Sequence, residues 1–314
     1  MGERLTKLSD PSLFFSLASM HDIVICGKAA DSGFFEGVID QLQPKVALHL
    51  PEALRLERVT ASEEVLEHIA QIAHAAFCDF FVLPAGLCLQ DIRLFCFDMD
   101  STLIENECIN DMAAEAGVLD EMKELSRRAM AGEIGFLESL QKRVALLAGH
   151  PASIIDHSTR CVRLYPGSRQ VADFARKHGI PFYIISGGFI DVARAVGNLI
   201  GASGVISNEL VVKDGRLTGE VTGPAGNEII DVFGKRRIAQ VLAQLNRATL
   251  KETLCCGDGA NDLEMVRCAG IGVACHAKPV LDVATKLRIH HTGIESLTLF
   301  FRESWDEANV LEVR

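Results

Sequence analysis

Phe97-Asp98-Met99-Asp100-Ser101-Thr102-Leu103 follows the apolar run Leu94-Phe95-Cys96 and precedes a helical pattern. A short, continuous apolar run ending in turn-forming residues reads as a buried parallel strand, so the two aspartates emerge at its carboxyl end. Open α/β sheets bind ligands there. Side chains alternate along an extended backbone, which lets Asp98 and Asp100 point the same way. Paired carboxylates can hold a divalent cation and divide nucleophilic from acid–base work. The same Asp-x-Asp pattern also occurs as a plain turn carrying a solvated acid. The rest of the chain decides between the two.

With 314 residues and 48% apolar content the chain predicts roughly two domains with sizeable cores. The net charge of −11 is spread along it, and Lys235-Arg236-Arg237 is its longest basic run. Neither nucleic acid nor an anionic membrane is therefore an expected partner. The ten cysteines form no Cys-x-x-Cys, and Cys26, Cys78, Cys96, Cys255 and Cys256 lie in apolar runs. They read as small buried hydrophobes in a reducing, cytoplasmic compartment. Cys268, Cys275 and His276 lack a fourth ligand at a suitable spacing for a metal site. The apolar patch Leu13 to Met20 is too short for a membrane span, and Met1-Gly2 with Thr6 is only the bare acylation pattern, without a polybasic stretch.

Residues 1–90 are expected as one domain and 91–314 as another, with Pro84 to Asp91 between them. From Asp22 to Leu83 the pattern runs strand, helix, strand, strand, helix, strand, the split ferredoxin-like α+β arrangement. Ser62 is placed to cap the second helix. Cys26-Gly27 to Asp31-Ser32-Gly33-Phe34-Phe35 resembles the first turn of ACT domains, which implies serine binding by this domain. A domain that only packs or forms a homodimer is the alternative.

After Asp100 about sixty residues of helical pattern intervene before the next strand, longer than an ordinary strand-to-helix connection. Four short helices fall between about 105 and 165, the first three stopped by Gly117, Gly132 and Gly149 and the fourth starting at Pro151, and a bundle so placed is a cap over the strand end. Phe136 and Arg143 are seven apart on the third helix, beside the stripe Leu140, Val144 and Leu147. Arg143 either snorkels to solvent or aims at an anion beneath the cap. Glu107 poses the same question, because the first turn of a helix favours acids in any case.

Further along, Pro181 to Ile185 reads as a strand ending in Ser186-Gly187-Gly188, a turn from which backbone N–H groups can hold phosphate. Asp214-Gly215 marks a hairpin, read as a surface flap without chemistry. Lys235, Arg236 and Arg237 open a helix whose apolar face is Ile238, Val241, Leu242 and Leu245. Three cations in a first turn oppose the helix dipole unless an anion stands nearby. Leu254-Cys255-Cys256 is a strand ending in Gly257-Asp258-Gly259-Ala260-Asn261-Asp262, and Ile271 to Ala274 reads as the last core strand. The tail from Ser296 carries the only Trp and no motif.

The order and spacing of these motifs resemble the haloacid dehalogenase superfamily and, from about Arg93 to Ala277, its phosphoserine phosphatase family. The resemblance rests on Asp98-x-Asp100-Ser101-Thr102, Glu107, Met130 with Gly132-Glu133, Phe136 and Arg143. It continues through Ser186-Gly187-Gly188-Phe189, Lys235 and the Gly257 to Asp262 motif. It implies an α/β, Rossmann-like core with a parallel sheet and a four-helix cap inserted after the first core strand. It further implies hydrolysis of O-phospho-L-serine to serine, the last step of serine biosynthesis, through an aspartyl phosphate. In that scheme Asp98 is the nucleophile and Asp100 the acid and base. Mg²⁺ is held by Asp98, Asp100 and Asp258, with Asp262 behind them. Ser186, Gly187 and Lys235 hold the phosphoryl oxygens, Asn261 orients them, and Arg143 and Glu107 take the substrate's carboxylate and ammonium. Met130 and Phe136 close over the site. A phosphotransferase passing the group to an acceptor such as homoserine, or another small-molecule phosphatase, remains an alternative.

Overall fold

The computed structural model describes residues 20–28, 32–307 and 311–313, which fall in two compact units, Met1–Leu89 with Leu299–Arg314, and Gln90–Thr298. Residues 1–19, with most of the apolar patch and the acylation pattern, and residues 29–31 of the turn compared with ACT domains lie outside the described residues.

The first unit contains β1 (His21–Cys26), α1 (Ser32–Leu42), β2 (Val46–Leu50), β3 (Ala53–Val59), α2 (Glu63–Ala75) and β4 (Asp79–Pro84), the expected order. Its antiparallel sheet runs β2-β3-β1-β4. Ser62 caps α2 as expected, its Oγ accepting from Val65 N–H. The core is built from the inward residues of β1 and β3, among them Ile23, Ile25, Leu54 and Leu56, against Leu66, Ile69 and Ala73 of α2.

One boundary differs from expectation. The C-terminal residues belong with this unit instead of with residues 91–298. Strand Leu311–Val313 pairs antiparallel with β2. The buried Arg55 guanidinium donates to the Phe300 carbonyl at 3.0 Å and to Asp22 at 2.8 Å, and the Phe300 and Phe81 rings meet at 4.7 Å. A three-residue strand has no periodicity of its own, so its partner is invisible locally.

The second unit opens with β5 (Leu94–Phe97) and then the cap helices α3 (Cys108–Ala116), α4 (Leu119–Met130), α5 (Phe136–Ala145) and α6 (Ser153–Arg160). Gly117, with φ 74°, ends α3 in the left-handed conformation that glycine adopts without cost. There follow α7 (Ser168–Lys177), β6 (Phe182–Phe189), α8 (Ile190–Ile200), β7 (Gly204–Lys213), β8 (Arg216–Thr222) and α9 (Val232–Leu245). The chain continues through β9 (Thr253–Gly257), α10 (Leu263–Cys268), β10 (Ile271–Cys275), α11 (Pro279–Asp282) and β11 (Leu287–Ile289). The sheet order is β11-β10-β9-β5-β6-β7-β8, parallel throughout except for β8. Apolar strands β5 and β9 lie at its centre with every residue buried, as a sheet covered on both faces requires.

Four details correct the local reading. β10 is not the last strand, because the short β11 pairs outside it. Ser186-Gly187-Gly188 continues β6 to Phe189 instead of forming a turn, with an irregular register against β7 after Ser186. The buried face of α9 is Lys235, Ala239, Leu242 and Ala243, whereas Val241 and Leu245 are exposed. The close approach of α9 to the sheet selects small residues there, which a pattern of large apolar positions misses. Finally, the Asp214-Gly215 hairpin is bound to the cap. Gly149 N–H donates to the Leu217 carbonyl at 2.8 Å, Leu217 N–H to His150 at 2.9 Å, and Ala152 N–H to Gly215 at 2.9 Å.

Candidate active site

Both aspartates of the opening motif reach the carboxyl end of β5, and the backbone fixes them there. Asp98 N–H donates to the Cys256 carbonyl at 2.9 Å, which ties the strand end to β9. Asp100 Oδ1 accepts from Cys108 N–H at 2.8 Å, at the start of α3, so the same carboxylate anchors the cap. Gly188 is glycine for a steric reason: a Cβ there would lie 2.6 Å from Asp100 Oδ2.

Beneath them Lys235 is fully buried. Its Nζ lies 2.6 Å from Asp98 Oδ1 and 2.6 Å from Asp262 Oδ1. α9 begins at Val232 and is capped by Asp231, so the three cations do not open it as the sequence suggested, and the acids that meet Lys235 come from just beyond the ends of β5 and β9. Asp262 is fully engaged, since its Oδ2 accepts from Asp258 N–H at 3.2 Å and Gly259 N–H at 3.0 Å. Gly257 allows this too, because a Cβ at that position would strike the Asp262 carboxyl.

Crowding sets the electrostatics. Burial, and then repulsion from Asp262, push the Asp98 carboxyl well above the usual range, while Lys235 acts against them. Burial likewise drives Asp258 up to about 6, with Asp262 adding to it and Lys278 opposing it. Burial also raises Asp100, against the hydrogen bond from Cys108. For Lys235 burial opposes the charge, but Asp262 and Asp98 outweigh it and hold the ammonium protonated. Ligand oxygens of Asp98, Asp258 and Asp262 lie within 4.8 Å of one another, all buried. Three crowded carboxylates with one lysine between two of them leave negative charge in excess, the environment that a hard divalent cation relieves.

Above this floor opens a cavity of about 360 Å³. It gathers Asp98, Asp100, Glu107, Met130, Phe136, Arg143, Gly187, Asp258 and Asn261 from positions between 98 and 261. Phe136 and Asn261 converge over Gly187, where a Cβ would lie 3.5 Å from the Phe136 ring and 3.6 Å from Asn261 Nδ2. Ser186, Lys235 and Asp262 do not line the cavity but stand buried beneath it. Ser186 Oγ accepts from Gly188 N–H at 2.8 Å. The stripe Leu140 and Val144 of α5, with Leu147 just past its end, is buried, and Arg143 lines the cavity, its Nε buried with no partner. Burial lowers the Arg143 pKa, opposed by Glu107 and Asp100. Arg143 therefore faces the cavity and does not snorkel to solvent.

Sequence reasoning missed Lys278. It follows β10, its N–H donates to the Asp258 carbonyl at 2.8 Å, and its Nζ stands 3.1 Å from Asp258 Oδ2 and 3.6 Å from Glu107 Oε1. The one signal available was a cation just past an apolar strand at the sheet's carboxyl edge. Ser139 also lines the cavity and was not singled out by the sequence.

A parallel α/β sheet with an aspartate pair after its first core strand and a helical cap inserted behind that pair defines a hydrolase class. Residues 95–267 match the haloacid dehalogenase-like hydrolase family, and the chain belongs to it. Its curated relatives are narrower in kind. The chain is 42% identical over 253 residues to a phosphoserine phosphatase of Streptomyces coelicolor, a match covering 80% of this chain and 61% of that protein's length. It is 32% identical to the phosphoserine phosphatase of Methanocaldococcus jannaschii, over 67% of this chain and 98% of that one. Among solved structures, a phospho-aspartyl intermediate analogue of phosphoserine phosphatase superposes with a TM-score of 0.62. It is 32% identical and covers 67% of this chain and 99% of its own.

Proposed function

We propose that this chain is a phosphoserine phosphatase, hydrolysing O-phospho-L-serine to L-serine and phosphate through a phosphoryl group carried on Asp98. The observation that carries the reading is the convergence of Asp98 and Asp100 on the floor with Glu107 and Arg143 on the cap, in one cavity. The floor is a phosphoryl-transfer apparatus. The cap offers one cation and one acid, as an amino acid's two charged groups require.

In this reading Asp98 Oδ attacks phosphorus in line, an acyl–phosphate bond forms, and the bond from phosphorus to the serine oxygen breaks. Asp100 gives its proton to that oxygen. It then takes a proton from the water that attacks the acyl phosphate, returning phosphate and the Asp98 carboxylate. The raised pKa of Asp100 suits both halves of that exchange. Lys235 favours the ionised form of Asp98 and, with Ser186 and the Gly187 N–H, meets the phosphoryl oxygens from beneath. Asn261 orients them. The carboxylates of Asp98 and Asp258 and the Asp100 carbonyl would hold Mg²⁺, which would neutralise charge on the phosphate. Asp262 stays behind these ligands, both its oxygens already engaged. Arg143 takes the substrate carboxylate with a planar fork, Glu107 takes the ammonium, and Met130 and Phe136 exclude water.

We also propose a role in serine biosynthesis in the cytoplasm, with L-serine binding and homodimer formation assigned to the first unit. No helix among the described residues is long and apolar enough to cross a membrane. Phosphate release from O-phospho-L-serine, with Mg²⁺ and with EDTA, tests the main reading against phosphothreonine, p-nitrophenyl phosphate and sugar phosphates. Strong Mg²⁺-dependent preference for phosphoserine is expected. Equal turnover of the panel would keep the floor chemistry and overturn the assignment of the cap. Release unaffected by added homoserine separates hydrolysis from transfer.

A further inference from the structure

We propose that Ser139 is a specificity-determining residue whose hydroxyl completes, with Arg143, the subsite for the substrate's carboxylate. The proposal rests on the reading above in which the substrate carries a carboxylate beneath the cap.

Ser139 lies on α5 four residues before Arg143, so the two share one helix face. Both line the cavity, and Ser139 is 1% exposed. Its Oγ is buried and has no hydrogen-bond partner, and the same is true of Arg143 Nε. Two buried, unpaired donors one turn apart, on residues that both line one cavity, are unusual because a buried donor without an acceptor costs stability.

The cheap local solution for a helical serine is a hydrogen bond to the carbonyl four residues back. Ser126, which lines the same cavity from α4, takes it, donating from Oγ to the Met122 carbonyl at 3.2 Å. Ser139 does not. The Gly135 carbonyl receives its backbone N–H at 2.9 Å and the hydroxyl is left for something else. An anion with two acceptor oxygens fits the pair, since one hydroxyl and one guanidinium N–H can each donate to it. The charge of Arg143 excludes an ammonium from this position, and Glu107 is the acid that takes it. The phosphoryl end belongs to the floor, where Lys235 and Asp98 lie.

The test compares O-phospho-L-serine with O-phosphoethanolamine, which keeps the phosphate and ammonium and lacks the carboxylate. For the full-length wild type and Ser139→Ala, KM and kcat are measured with the first compound and the competitive inhibition constant with the second. A hydrogen bond to a charged group predicts a KM about tenfold or more higher in Ser139→Ala, with kcat within about twofold. The inhibition constant of O-phosphoethanolamine stays the same, and the melting temperature does not fall because no internal bond is lost. Ser139→Cys, which retains a weak donor, gives an intermediate KM. An unchanged KM for phosphoserine, or an equal weakening of both compounds, overturns the role of Ser139 while leaving the wild type's preference for phosphoserine intact. A wild type that binds both compounds equally overturns the carboxylate reading itself and this proposal with it.

Discussion

Lys235 Nζ stands 2.6 Å from Asp98 Oδ1 with neither side chain open to solvent, and Asp262 holds the same ammonium from its other side at 2.6 Å. A cation so placed is expected to serve folding and catalysis together. Lys235→Met strands two buried carboxylates, which predicts a loss of about 3–5 kcal/mol in urea denaturation. It also removes a donor to the transferring group, so kcat falls by about 10²–10³-fold in the fraction that folds. Unchanged stability would mean that the pair contributes nothing net.

Arg143 is the one cation of the cap helix α5 that faces the cavity, and its Nε has no partner within the protein. Arg143→Ala is expected to raise KM for phosphoserine by roughly 10²-fold, corresponding to about 2–3 kcal/mol, with a smaller change in kcat. Arg143→Lys recovers little of this, because an ammonium cannot present two parallel donors. Steady-state kinetics of the two variants decides it. A kcat loss without a KM change would contradict a binding role.

Asp258 carries a pH dependence whose sign follows from its raised pKa. The carboxyl titrates near 6 in the folded chain and near 4 when unfolded, so the folded state holds the proton more tightly. That contribution to stability is complete below about pH 4 and is lost as pH rises through about 6, an effect of roughly 2–3 kcal/mol in metal-free protein. Thermal unfolding in EDTA between pH 5 and 7 should therefore show the wild type falling relative to Asp258→Asn. Mg²⁺ should restore the wild type above pH 6. Parallel curves for the two proteins would refute it.

Lys278 bridges Asp258 and Glu107 but is 45% exposed. Solvent screens such pairs to about 0–1 kcal/mol. Lys278→Met should raise KM for phosphoserine less than about fivefold, well short of Arg143→Ala. A larger effect would place Lys278 among the groups that touch the substrate.

Much of this is legible in the sequence alone. Asp98 and Asp100 follow from an apolar run and a two-residue spacing, and the βαββαβ order of the first unit from patterning alone. Arg143 could be placed on a helix face but not aimed, because periodicity fixes an angle and not what lies opposite. Lys235 carried a hint in the unfavourable charge of its own helix turn, yet its acids come from positions 98 and 262. Lys278 and Ser139 gave almost no local signal, since a lysine before a proline and a serine on a helix are ordinary. What distinguishes them is a neighbour or the lack of one, a property of the folded chain. The tail shows the same limit, for Leu311–Val313 is a strand only because β2 offers it an edge.

Every proposed step of hydrolysis passes through a phosphoryl group on Asp98. Rapid acid quenching of the wild type turning over O-phospho-L-serine, followed by digestion and mass spectrometry, measures it directly. One added phosphoryl group is expected on the peptide containing Asp98, and neither the adduct nor turnover in Asp98→Asn. Near-normal kcat in Asp98→Asn, or a phosphoryl group found on another residue, would contradict it.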